Sequence, residues 1–148
     1  VAMNYLGGYR NSLTVVLTGL DPEAKADLLL RTVLGLTLRQ CRAGARDPQA
    51  LAAASRLDVA ELSVDLVLSG VADPAGPSDA QSFLRITAKS PNADAVGKPF
   101  TVPIIEATLS SFPGLFPTTP PGPSSPMGVY WPTTVARSHV EPVVTVTP

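Results

Sequence analysis

The sequence predicts an α+β domain of the ferredoxin-like, split βαβ kind, and three observations predict it. Two stretches, Leu62–Ser69 and Gln81–Lys89, alternate apolar and polar residues, as strands with one buried face do. Near the start, a β-branched stretch is followed by apolar residues at helical spacing. The resulting order is strand, helix, strand, strand, helix, strand, which is that of the split βαβ motif. Two helices then cover one face of a four-stranded antiparallel sheet, and the other face stays wetter.

Each element has its own signal. Asn4–Arg10 reads as a loop, with Gly7-Gly8 as a flexible turn. Ser12–Gly19 is β-branched, bounded by glycine, and reads as the first strand. Asp21 is placed as an N-cap, with Pro22 at the first helical position and Glu23 on the helix dipole. A helix over Glu23–Arg42 follows, with Ala26, Leu29, Leu30, Val33 and Leu36 near one face and Gly44 as the stop. Arg39 and Arg42 near its end suit the dipole. Asp47-Pro48 repeats the start signal for a short helix over Gln49–Arg56.

In the second strand Leu62, Val64, Leu66 and Leu68 face one way. In the third, Leu84, Ile86 and Ala88 do the same, across a Pro/Gly/Asp loop at Gly70–Asp79. Pro91–Lys98 holds a turn. Thr101–Phe112 has Ile105, Leu109 and Phe112 at helical spacing, and Pro103 fits a first turn. Pro113–Pro126 reads as an extended Pro-rich loop, Tyr130–Val135 as extended chain, and Val140–Thr147 as the last strand.

Composition narrows the function classes. A chain of 148 residues, 45% hydrophobic and 16% charged, builds a core without disulfide or metal. Its net charge of −1 and scattered Lys and Arg give no nucleic-acid footprint and no polybasic membrane patch. The longest apolar runs fall short of the ~20 residues of a membrane helix. The lone cysteine, Cys41, has no CxxC or Cys/His companion, so neither a zinc site nor any cofactor is expected. An unpaired thiol fits the cytoplasm. A start at Val1, and most of the sixteen prolines in the last third, suit a segment of a longer protein, and a processed or cropped chain equally well.

Complete catalytic sets are missing from the sequence: it has no GxGxxG, no GxxxxGK[ST] and no GxSxG. The candidate catalytic residues are Arg85, Asp65 and His139. Asp65 and Arg85 lie on adjacent strands, on the polar side. They read as a cross-strand ion pair, or Arg85 reads as a fork for a carboxylate. His139, the only histidine, is a surface or packing residue, or an acid/base at a domain boundary. Cys41, near a helix C-terminus, reads as partly buried and inert. Asp21, Glu23 and Asp27 form a cluster that the helix dipole explains. Gln81, Arg85, Tyr130 and Trp131 are the candidate ligand or interface residues. Tyr130-Trp131-Pro132 is an aromatic anchor of the kind that seats on a core or a partner.

Several stretches, in order, resemble one family. They are Leu17-Thr18-Gly19-Leu20-Asp21 with Lys25-Ala26, Leu68-Ser69-Gly70, Arg85-Ile86 with Ala88-Lys89, Phe112-Pro113-Gly114, and Tyr130-Trp131-Pro132 before a valine-rich end. Together they look like the distal part of the acyclic terpene utilisation (AtuA-like) family. The resemblance implies a longer protein with a preceding α/β region, and a role in catabolism of terpenes such as citronellol and geraniol through CoA thioesters. It implies that the chain acts through an interface with another domain or subunit, in an oligomer. An enzyme domain acting on an acyl-CoA or carboxylate is the alternative, and an unrelated ferredoxin-like assembly or ligand-binding module is another.

Overall fold

The structure, a computed structural model, describes residues 3–19, 21–69, 71, 73, 75, 76, 79–110, 114–131, 134–141 and 143–145, without the side chains of 3–6 and 129–131. The elements are β1 (Met3–Leu17), α1 (Pro22–Leu34), α2 (Leu38–Ala43), α3 (Pro48–Ala54), β2 (Glu61–Val67), β3 (Ser82–Ser90), α4 (Lys98–Leu109), β4 (Leu115–Pro117) and β5 (Ser125–Trp131), then a 3₁₀ turn at Arg137–His139. The fold is α+β. Among the described residues its antiparallel sheet has five strands, in the order β2-β3-β1-β4 with β5 also on β1.

The expected count of four strands is therefore corrected to five. The described residues between 140 and 145 form no strand. The last two strands lie earlier: β4 falls inside the expected Pro-rich loop, and β5 starts at that loop's end and runs into the stretch read as extended from Tyr130. Leu115–Pro117 pairs with Leu17–Val15, and Ser125–Trp131 pairs with Arg10–Met3. Between these two ladders the edge chain spends extra residues, and Pro120, Pro121 and Pro123 sit there. Proline cannot donate to a ladder, so an edge interrupted by an outward bulge is where it is tolerated.

β1 is also longer than the expected Ser12–Gly19. Gly7-Gly8 is no turn: it lies within β1, where the register to β5 shifts between Leu6 and Tyr9. Gly8 has φ 119°, and a Cβ there would stand 2.8 Å from the Ser90 carbonyl oxygen. The pair thus marks a bulge with close backbone approach. β3 stops pairing at Tyr9, so Met3–Leu6 is held by β5 alone as a two-stranded ribbon.

The expected helix Glu23–Arg42 breaks in two. Gly35 ends α1 with φ 72°, its N–H donating to the Arg31 carbonyl. Thr37 starts α2 with a capping box: its hydroxyl accepts from Gln40 N at 3.1 Å, and Gln40 Oε1 accepts from Thr37 N at 2.8 Å. Asp47 caps α3 by accepting from Ala50 N at 3.0 Å. Asp21, by contrast, takes a left-handed conformation (φ 53°) and makes no side-chain cap.

α4 starts at Lys98 with Pro99 in its first turn, so Pro103 falls inside the helix and not at its start. Packing outweighs this, because Phe100, Ile104 and Ala107 are buried. They join Leu29, Leu30, Val33 and Leu34 of α1 in a core under the inner sheet face, made by Leu13, Val15, Leu17, Leu62, Leu84, Ile86 and Ala88. Each such Val, Leu, Ile or Phe contributes ~1.5–3 kcal/mol by leaving water.

Candidate functional site

The outer face of the sheet carries the sequence-predicted pair. Strand residues alternate, so the partners of the buried rows point outward. Four outward rows follow from the register: Arg10, Lys89 and Glu61; Ser12, Thr87 and Ser63; Thr14, Arg85 and Asp65; Val16, Phe83 and Val67. Phe116 of β4 extends the last row beyond Val16. The face is thus charged at one end and apolar at the other, with a neutral hydroxyl row and a second charged row between. Val16 is buried within its row, whereas Phe83 (39%), Phe116 (45%) and Val67 (60%) remain exposed.

Asp65 and Arg85 are register partners, as the alternation predicts. The expected ion pair is not formed, however. The ion pairs among the described residues are Asp27–Arg31, Glu23–Arg42 and Glu61–Lys89. Arg85 Nε instead donates to Thr14 Oγ1 at a long 3.4 Å. Thr14, Asp65, Val67, Phe83 and Arg85 line a groove of about 400 Å³. The groove offers one guanidinium, one carboxylate and the two apolar side chains of Val67 and Phe83.

The other candidates lie elsewhere. Gln81 is half-buried just before β3 and does not line the groove. His139 is exposed in the 3₁₀ turn. Tyr130 and Trp131 pair with Asn4 and Met3 on the ribbon. That is ten residues of β1 from Thr14, or roughly 33 Å at the usual rise per residue. Their side chains, like Pro132, lie outside the described residues.

A larger cleft, of about 720 Å³, opens between Ala93–Thr101 and the Pro121–Ser124 bulge. Sequence reading missed what builds it. Asn11 is buried at the end of the inner face, and its Nδ2 donates to Val96 O (2.9 Å) and Gly122 O (3.1 Å). Its position in register with the buried Leu13 was the available signal, since a buried amide must find partners. Asp94 and Lys98, its charged lining residues, are exposed. With its charged groups at the surface, the size of the cleft alone assigns it no chemistry.

Cys41 is buried more completely than the partial burial expected of it. Burial first, and then the negative charge of Asp27, push its thiol from 9.0 up to about 11. Asp27 itself sits below the ordinary carboxylate range. The main cause is the backbone N–H of Leu38, which donates to it at 2.7 Å, and Arg31 adds to this at 2.6 Å. Glu23 is paired with Arg42 at 2.6 Å. Asp27 and Glu23 therefore tie α1 to α2, which goes beyond the helix-dipole role expected of them.

Among the described residues, no group of three His, Cys, Asp or Glu side chains could hold a metal ion, and no helix is long and apolar enough to cross a membrane. No curated protein and no solved structure matches the chain. Residues 1–146 do match a family, described as acyclic terpene utilisation family protein AtuA, in line with the ordered stretches from Leu17 to Trp131. The match covers nearly the whole chain, and the chain belongs to that family.

Proposed function

We propose that this chain is an interface domain of an AtuA-family protein that serves acyclic terpene catabolism, of the citronellol and geraniol type, in the cytoplasm. In this reading it is the distal part of a longer protein, and its outer sheet face packs on another domain or subunit. The observation that carries the reading is the exposed apolar row of Phe116, Phe83 and Val67 on an otherwise polar sheet face. Apolar side chains aligned across three strands favour a partner over water. We also read the architecture as ferredoxin-like. The strand order β2-β3-β1-β4 with antiparallel neighbours supports this, with the last strand split by the proline bulge. Native mass spectrometry of the isolated chain tests the interface. A discrete complex is expected, and Phe83→Glu dissociates it. A chain that stays monomeric and partnerless at every concentration sinks the reading.

Arg85 favours a second reading. Its guanidinium lines a groove with Val67 and Phe83 and, among the described residues, has no ion-pair partner within 4 Å. A guanidinium fork matches a carboxylate, so the groove suits a small branched acid or the acyl end of a thioester. Asp65 competes for the same fork. NMR titration with 3-methylbutanoate then shifts the Thr14, Phe83 and Arg85 amides. Arg85→Ala removes the response, and Asp65→Asn strengthens it. Unmoved amides at saturating acid would refute this reading.

A further inference from the structure

Resting on the interface reading, the outer face of β2 and β3 also specifies what covers it. Its facing pairs, from one end to the other, are Glu61 and Lys89, Ser63 and Thr87, Asp65 and Arg85, Val67 and Phe83. At the charged end Glu61 and Lys89 already pair within the chain, at 2.9 Å. Asp65 and Arg85 do not pair. Val67 and Phe83 keep much of their surface in water. A partner must therefore bring an opposite charge to each of Asp65 and Arg85, and an apolar patch one row further along.

A second copy of the chain meets both needs in one orientation. A two-fold axis parallel to the strands, between β2 and β3, lays β2 of one copy over β3 of the other and sets every row against itself. Asp65 then faces Arg85 of the second copy, twice over, and Val67 faces Phe83 in the same way. An axis across the strands would reverse the rows and set Val67 and Phe83 on Glu61 and Lys89. We propose that the chain self-associates as a two-fold dimer through the outer face of β2 and β3, with Asp65 of each copy paired to Arg85 of the other. A strip two strands wide is smaller than the ~800 Å² per partner of a standard interface. The dimer is accordingly concentration-dependent, and it weakens with salt.

Sedimentation velocity of the 148-residue chain over a range of concentration and salt tests this. Asp65→Arg and Arg85→Asp each set like charges face to face, and each weakens self-association about tenfold or more. Mixed one to one, the two variants form a heterodimer, because one carries only positive charge in that row and the other only negative. A charge pair confined to one chain does not produce this. If a reversal variant does not fold by circular dichroism, Asp65→Asn and Arg85→Gln replace the two, and each flattens the salt dependence. Variants that dimerise as tightly as the native chain, or a mixture that stays monomeric, overturn the proposal. A native chain that is monomeric but binds a different polypeptide, with Phe83→Ser blocking the contact, overturns self-association and leaves the interface reading standing. A native chain that does neither overturns both.

Discussion

Gly8 and Asn11 are three residues apart on β1, and each fixes a different neighbour. A side chain at position 8 meets the Ser90 carbonyl at 2.8 Å in a left-handed backbone, φ 119°. Gly8→Ala should cost about 1–3 kcal/mol, read as a lower urea midpoint with unchanged slope. Asn11→Ala strips two carbonyls, Val96 O and Gly122 O, of their donor. It should cost about 1–3 kcal/mol and speed amide exchange in the proline bulge. Cys41 gives a pH signature. Its thiol ionises near 9.0 when unfolded and near 11 when folded. Its contribution to stability is fully present below pH 9 and is lost as pH rises from there towards 11. A thiol reagent at pH 8 should label the native chain far more slowly than the urea-unfolded chain. Asp27 acts in the opposite sense, since its lowered pKa gives stability that fades as acid protonates it.

Whole elements show where sequence patterns inform and where they do not. The alternation of β2 and β3 was legible to within a residue or two, because one buried face imposes a period of two: Leu84, Ile86 and Ala88 are buried as read. The groove pair Asp65 and Arg85 followed from the same register, although register alone does not fix where a long guanidinium goes. The α1–α2 break was missed because Leu36 stays buried and prolongs the apolar spacing, although Thr37-Leu38-Arg39-Gln40 spelled a capping box. β4 and β5 were illegible for another reason. Proline masks edge strands, and their partner, β1, lies about a hundred residues away. In α4, Pro103 leaves the Pro99 carbonyl without its intrahelical donor. Pro103→Ala should raise stability by about 1–2 kcal/mol in a thermal melt, the regained bond being partly offset by a freer unfolded chain. Phe100→Ala should lower it by about 3–5 kcal/mol.

The molecule as a whole is organised about β1, which has β3 along one side and β4, then β5, along the other. That arrangement governs when the protein can fold. β2 and β3 pair locally, yet β1 meets β3 across some sixty to eighty residues and meets β5 across more than a hundred. Closing such loops loses chain entropy before any contact offsets it, so folding belongs in the millisecond-to-second range. The helices and the β2–β3 pair can assemble while Met3–Leu6 still has no ladder to join. On a ribosome, that first stretch waits until Trp131 has emerged, and in a folded population it should be the first part of β1 to open and exchange its amides.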